Sequence, residues 1–270
     1  MRICILSDES VEDYNPAPLL SGFDWEFVTV EQPVEAFIRK LDAEKKFDVY
    51  LNIYEGEDAN DFSGADLIRE MERLNLAFTG ADIKFYSATR EQMQSAADQH
   101  RVRFVRGFNA KTEVDLELAR DLTFPLIVKH PNSFASEGLL PESKVSSVEE
   151  LRAQFLRNQK EYGSARVEEF IEGREVTCLV VDNPEDLSAP FAYLPAEIKF
   201  PEGESFLHIE VKWFNWGTFI VPLEDAELIP RVQAAAKEMY LAMQGTGYAR
   251  VDMRIRPNGE IVVLEINPNC

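Results

Sequence analysis

Positive charge is scarce in this chain, and so are cysteine and histidine. Across 270 residues, 28 lysines and arginines face 48 aspartates and glutamates, for a formal net charge of −20. Such a balance disfavours nucleic acid and anionic membranes as partners and leaves room only for a local basic pocket that takes a small phosphate. The three cysteines, Cys4, Cys178 and Cys270, show no CxxC or paired spacing, which suits a reducing compartment better than a disulfide framework. No apolar run approaches the roughly 20 residues that span a bilayer, and MRICILS turns polar too soon for a signal peptide. The expected location is therefore the cytoplasm. A Ser-His-Asp or Cys-His signature is also missing, so His100, His130 and His208 are read as structural or exposed.

Hydrophobic residues are plentiful, 45 % of the chain, enough for one large domain or two to three small ones. In the first third, β-like RICILS, WEFVTV and FDVYLNIY alternate with the helically spaced PVEAFIRKLDAEKK and GADLIREMERLN. That alternation predicts an α/β unit on an open parallel sheet. From about Asp82 a second region follows: helix YSATREQMQSAADQH, strand VRFV, helix TEVDLELARDL, strand FPLIVK, a polar loop, helix SVEELRAQFLRNQ and strand ARVEEFI. The third region reads as mostly β, with REVTCLVVD, FAYLPAEIKF, SFLHIEVKW and a final hairpin around one long helix, DAELIPRVQAAAKEMYLAMQ.

The final hairpin, YARVDMRIRPNGEIVVLEINPN, carries the densest chemistry. Asn258-Gly259 predicts a two-residue turn, because both central residues of that turn need positive φ. With Pro257 facing Glu260, Asp252 pairs with Glu265 and Arg250 with Asn267, all on one face. The other face takes Val251, Met253, Ile255, Val262, Leu264 and Ile266 as core. Two opposed carboxylates destabilise a sheet unless something positive lies between them. Carboxylates and an amide oxygen suit Mg²⁺; alternatively, Arg250 and Arg254 neutralise the pair on an ordinary wet surface.

Three segments in order, FPLIVKHPNSFASEG, VEEFIEGREVT and GYARVDMR with VLEINPN, resemble the ATP-grasp superfamily and within it the D-alanine:D-alanine ligase-like branch. LNLAFTGAD resembles the end of that family's first domain and HIEVKW the strand before its flexible loop. The resemblance implies a three-domain ATP-grasp fold: an α/β domain over 1–84, a central lid over 85–168, and a β-rich C-terminal part over 169–270 with the Mg-ATP site. It implies an ATP-dependent ligase that joins a small-molecule carboxylate to an amine through an acylphosphate, with ATP and two Mg²⁺ ions, or Mn²⁺ in their place. It also allows a homodimer. By the same resemblance Lys129 holds phosphate, and Glu168, Glu169 and the backbone of Phe170 and Ile171 face the adenine. Glu175 takes the ribose hydroxyls, Lys212 and Arg250 neutralise the developing charge of the transfer, and Asp252, Glu265 and Asn267 hold the metal.

Departures from the family pattern bear on activity and substrate. The family's second ATP lysine falls on Gln94, with Arg90 one turn earlier, and the loop after Lys129 has a single glycine, with Ser133 and Ser136 as candidate donors. An early acidic glycine-rich motif is missing from ILSDESVED, leaving Glu9 and Glu12 as loose candidates. Ala135 and Trp213 replace residues that help bind the first D-alanine. The chain stops at Cys270, where the ligases continue into a segment that helps bind the second substrate, and the sequence leaves open both a minimal protein and a truncation. The expectation is a ligase for an amino acid or small peptide. The alternative is a nucleotide-binding module with a regulatory or scaffolding role, and a third reading is a partner-binding surface at KWFNWGTF with Trp213 and Trp216.

Overall fold

A computed structural model of the chain describes residues 1–8, 16–54, 56, 63–132, 136–213 and 219–270. In chain order its elements are β1 (Arg2–Ser7), β2 (Asp24–Thr29), α1 (Val34–Ala43), β3 (Val49–Asn52), α2 (Ser63–Arg73), α3 (Ile83–Tyr86), α4 (Arg90–His100), β4 (Gly107–Ala110), β5 (Leu126–Lys129), β6 (Lys144–Val145) and α5 (Val148–Tyr162). They continue with β7 (Ala165–Glu169), β8 (Arg174–Val181), β9 (Phe191–Ala192), β10 (Ala196–Lys199), α6 (Ile209–Trp213), β11 (Phe219–Pro222), α7 (Leu228–Ala242), β12 (Tyr248–Ile255) and β13 (Ile261–Pro268). The described chain divides into two compact units, one of Met1–Ser87 with Thr246–Tyr248 and Pro268–Cys270, the other of Ala88–Gly245 with Ala249–Asn267.

In the first unit RICILS is buried almost end to end, the pattern of a strand covered on both faces in a parallel sheet. It forms the centre of the order β2-β1-β3, parallel to both neighbours, with Ile3 opposite Trp25 on one side and Val49 on the other. Cys4, Leu6 and Tyr50 from the sheet meet Val34 and Ile38 of α1 and Leu67, Ile68 and Met71 of α2. The chain end is stitched in by polar contacts: Asn269 Oδ1 accepts from the Ala81 amide at 2.7 Å and Thr246 Oγ1 from the Asp82 amide at 2.8 Å. Gly247, with φ +69°, lies so close that a Cβ would come within 2.2 Å of the Gly80 carbonyl oxygen.

The second unit holds two sheets. One is four-stranded in the order β4-β7-β5-β6. On one of its faces Leu126, Val128, Ala165 and Val167 pack on Leu151 and Phe155 of α5, a helix capped by Ser147 and ended by Gly163 at φ +78°. The residues between them in sequence, Ile127, Lys129, Arg166 and Glu168, take the other face because strand side chains alternate. The other sheet has the order β11-β10-β8-β12-β13, with β9 added on β8; α7 packs against β8 and buries Val232, Ala236, Met239 and Tyr240. Among the described residues no helix is long and apolar enough to cross a membrane.

Four local expectations change. VRFV is not a strand: only Phe104 bridges Val263, where the Val105 amide donates to the Val263 carbonyl and the Val263 amide to the Arg103 carbonyl, each at 2.8 Å. TEVDLELARDL winds as a 3-10 helix over Glu113–Asp121. HIEVKW, expected as strand, is helical over Ile209–Trp213. Contacts set this segment rather than propensity, because Leu139 accepts from the Ile209 amide at 3.0 Å, His208 accepts from the Lys212 amide at 2.9 Å and the His208 ring meets Glu204 at 2.9 Å. Finally, the hairpin turn is one residue longer than expected, with Arg256 rather than Pro257 opposite Glu260. The Arg256 amide donates to the Glu260 carbonyl and the Gly259 amide to the Arg256 carbonyl, each at 2.8 Å. Gly259 has φ +82° and Asn258 is not among the positive-φ residues; its side chain accepts from the Glu260 amide instead.

Candidate functional site

Against the inner face of the four-stranded sheet and β12–β13 lies a cavity of about 180 Å³. Each residue nominated from the sequence lines it: Lys129, Ser136, Glu168, Glu169, Phe170, Ile171, Glu175, Lys212, Arg250, Asp252, Glu265 and Asn267. Arg90, Arg254, Phe206 and Leu264 line it too. Leu264 was expected in the core with its hairpin neighbours, and here it is half-buried at the cavity wall. Glu9, Glu12, Ser133, Ala135 and Trp216, and the Trp213 side chain, lie outside what the structure describes.

Glu168, Asp252 and Glu265 are compensated by cations of the chain itself. Lys129 meets Glu168 Oε2 at 2.6 Å and Arg166 Nε donates to Glu168 Oε1 at 2.8 Å. Burial alone would raise the Glu168 carboxyl, yet Lys129, Arg166 and Arg90 outweigh it and hold the group below the usual carboxylate range. Arg250 forks onto Asp252, Nε to Oδ1 and Nη2 to Oδ2, both at 2.9 Å, while Thr177 Oγ1 donates to Oδ1 at 2.7 Å. Arg90 Nη2 donates to Glu265 Oε2 at 2.8 Å. Against the push of burial, Arg90 and Lys129 pull the Glu265 carboxyl down to about 2.

Arg254, expected beside the hairpin carboxylates, goes elsewhere. It is 3 % exposed and donates to Glu175 Oε2 through Nε at 3.0 Å and Nη2 at 2.6 Å. It also reaches the carbonyls of Ile171 at 3.0 Å and Ser205 at 2.5 Å and stacks over Phe170 at 4.8 Å. Burial still pushes the Glu175 carboxyl above its ordinary value, because the Arg254 attraction does not fully offset desolvation. Glu169 faces Arg106 at 3.5 Å and Arg256 at 3.8 Å. Lys212 sits on α6 with an exposed side chain, and Ser136 Oγ donates to the Leu207 carbonyl at 2.9 Å, tying the loop after β5 to the segment before α6.

Asp252 and Glu265 are linked through Asn267, whose Nδ2 donates to Asp252 Oδ2 at 2.9 Å and Glu265 Oε1 at 3.4 Å. This set of two carboxylates and an amide is all hard oxygen chemistry and fits a magnesium-like ion. Two arginines already neutralise it, so the repulsion expected of an unliganded pair is absent. Sequence reasoning missed Arg166 and Thr177 and misplaced Arg254. The available signal was alternation: Arg250, Asp252 and Arg254 share a face of one strand, as do Arg166 and Glu168 of another.

Known proteins resemble this chain over most of its length. A family model described as D-ala D-ala ligase C-terminus matches residues 97–270. D-alanine–D-alanine ligase of Lactococcus lactis subsp. cremoris (strain MG1363) is 28 % identical over 206 residues, covering 73 % of this chain and 57 % of that protein. Vancomycin B-type resistance protein VanB of Enterococcus faecalis is 35 % identical over 153 residues, or 55 % of this chain and 43 % of that one. The chain thus spans little more than half the length of the Lactococcus relative. Among solved structures, D-alanine–D-alanine ligase from Bacillus anthracis superposes with a TM-score of 0.72 at 20 % identity, covering 99 % of this chain and 86 % of that one. The same enzyme complexed with ATP gives 0.71 at 19 % identity over 99 % and 86 %, and VanG D-Ala:D-Ser ligase from Enterococcus faecalis gives 0.72 at 18 % identity over 98 % and 89 %. With its model match covering more than half of the residues, this chain belongs to the D-ala D-ala ligase C-terminus family and has the ATP-grasp fold of the D-alanine ligase-like branch.

Proposed function

We propose that the cavity binds Mg-ATP and that the protein is a carboxylate–amine ligase. The observation that carries this reading is the convergence of Lys129, Arg90, Lys212 and Arg250 with Asp252, Glu265 and Asn267 on one cavity. Preorganised cations around a site for transferable phosphate are what phosphoryl transfer needs. Lys129 would take phosphate as a point charge, Glu175 the ribose hydroxyls, and Glu168, Glu169 and the backbone of Phe170 and Ile171 the adenine. Magnesium held by Asp252, Glu265 and Asn267 would neutralise phosphate oxygens.

A substrate carboxylate oxygen attacks the γ-phosphorus and ADP leaves; an amine then attacks the acyl carbon of the resulting acylphosphate, releasing phosphate and a proton and leaving an amide. Lys212 and Arg250 stabilise the charge that develops. The relatives named as D-alanine ligases support an amino acid or small peptide as the carboxylate. The same proposal keeps a three-part domain division at 84 and 168 and a cytoplasmic location, the latter supported by three cysteines that form no disulfide.

The test is ADP release from Mg-ATP by the purified chain with a pooled amino-acid mixture, against the same mixture without the chain. A second reading, nucleotide binding without ligation, draws on the occupation of Asp252 and Glu265 by Arg250 and Arg90. It predicts a nucleotide-dependent rise in melting temperature with no ADP released.

A further inference from the structure

Arg166 is 1 % exposed, although an arginine cannot shed its charge to lower the cost of burial. Its bonds explain why it stays. Nε donates to Glu168 Oε1 at 2.8 Å and Nη2 to Gln94 Oε1 at 2.6 Å. Gly107 stands opposite Glu168 in the ladder, and a Cβ there would fall 2.5 Å from Glu168 Cγ and 3.1 Å from Arg166 Nη2. A strand without a side chain at that point is what admits the pair.

Glu168 therefore has two counter-charges on two different oxygens. Lys129 holds Oε2, and it is also the residue proposed to turn to phosphate. Once it does, Arg166 keeps its hydrogen bond to the carboxylate, with Arg90 the other cation facing it. An ionised carboxylate offers only acceptors. A purine with an exocyclic amine can donate to it, whereas one with a carbonyl in that place sets acceptor against acceptor.

We propose that Arg166 is a positioning and specificity-determining residue, holding Glu168 as a fixed ionised acceptor so that the site selects the amino purine ATP over its oxo analogue ITP. The inference rests on the nucleotide reading above. The groups that face Glu168 are Lys129 from β5, Arg166 from β7 and Arg90 from α4, all cationic. With Arg166 removed, burial gains ground and the acceptor is lost first at mildly acidic pH.

The experiment measures dissociation constants of Mg-ATP and Mg-ITP by calorimetry at pH 6 and pH 8. Wild type, R166L, R166K, E168Q and R166L/E168Q are compared. Wild type is expected to favour ATP by about tenfold or more, equally at both pH values. R166L is expected to bring that ratio to within about threefold and to bind ATP more weakly at pH 6 than at pH 8. R166K keeps the charge without the fork, so it should lose part of the ratio and remain indifferent to pH. The double variant should be no worse than E168Q alone, because Arg166 acts through Glu168. Should R166L fail to fold, R166K against E168Q decides. An unchanged ATP-to-ITP ratio in R166L or R166K, or additive losses in the double variant, would overturn the role of Arg166 while leaving nucleotide binding intact. Failure of wild type to bind either nucleotide would overturn the nucleotide reading and this inference with it.

Discussion

Arg254→Met removes a buried cation that makes four hydrogen bonds, and its cost can be worked from its partners. Arg254 and Glu175 are 3 % and 11 % exposed as side chains and meet at 2.6 Å. Taking away one member of a buried pair typically costs about 3–5 kcal/mol, since the remaining charge is stranded. The carbonyls of Ile171 and Ser205 also lose a donor, although water reaching the gap left by the guanidinium would recover some of that. For a unit of this size each 1 kcal/mol is worth roughly 2–4 °C, so R254M should melt roughly 6–20 °C below wild type by calorimetry at pH 7. Adding E175Q replaces the stranded carboxylate by a neutral amide and should recover a substantial part of the loss.

The pH dependence has a definite sign. Glu175 in the fold sits above its ordinary carboxyl value because of burial, even with Arg254 present; without Arg254 it moves higher still. A group raised in the folded state contributes stability that is present below its unfolded pKa and lost as pH rises through the folded one. The R254M deficit should therefore shrink as pH falls from 7 toward 5. A melting point within about 2 °C of wild type, or a deficit that grows on acidification, would refute the reasoning.

Asp252→Asn with Glu265→Gln deprives Arg250 and Arg90 of ionised partners, so the double variant should melt somewhat below wild type without ligand. It should lose most of the Mg-dependent stabilisation, which for wild type at about a hundred times the dissociation constant is about 2.7 kcal/mol; thermal shift with and without Mg-ATP reads both. Burial holds Cys4 and Cys178 thiols up at about 12 while Cys270 is exposed, so a chromogenic disulfide reagent at pH 8 should titrate one thiol in the native chain and three after unfolding. By the family resemblance Ala135 and Trp213 stand where polar groups would contact the first D-alanine, so activity with two D-alanines is expected to be weak; D-alanyl-D-alanine formed at a rate matching the best amino-acid pair would reverse this.

The alternation of RICILS, PVEAFIRKLDAEKK and FDVYLNIY made the parallel sheet of the first unit legible, since local period and tertiary burial agree there. Lys129, Glu168 and the hairpin carboxylates line one cavity, a gathering that was legible only through the family resemblance carried by the short motifs. HIEVKW was illegible for the opposite reason: its apolar alternation favours a strand, but bonds from Leu139 and Glu204 wind it into a helix. Pairing was the harder problem. Arg254 lies two residues from Asp252, yet finds Glu175 on the neighbouring strand β8, and Arg90 comes from α4 to Glu265 across 175 residues. Nothing local encodes such partners; they follow from the packing of sheets. The buried fork of Arg166 depends likewise on the missing side chain of Gly107 across the ladder.

The claim that this cavity activates a carboxylate is tested most directly by hydroxylamine trapping. The chain is incubated with Mg-ATP, a pooled amino-acid mixture and hydroxylamine, and hydroxamate is quantified alongside ADP. The account predicts hydroxamate in step with ADP, both dependent on magnesium and both abolished by D252N/E265Q. ADP released with neither hydroxamate nor amide, or ATP bound and never consumed, would contradict it.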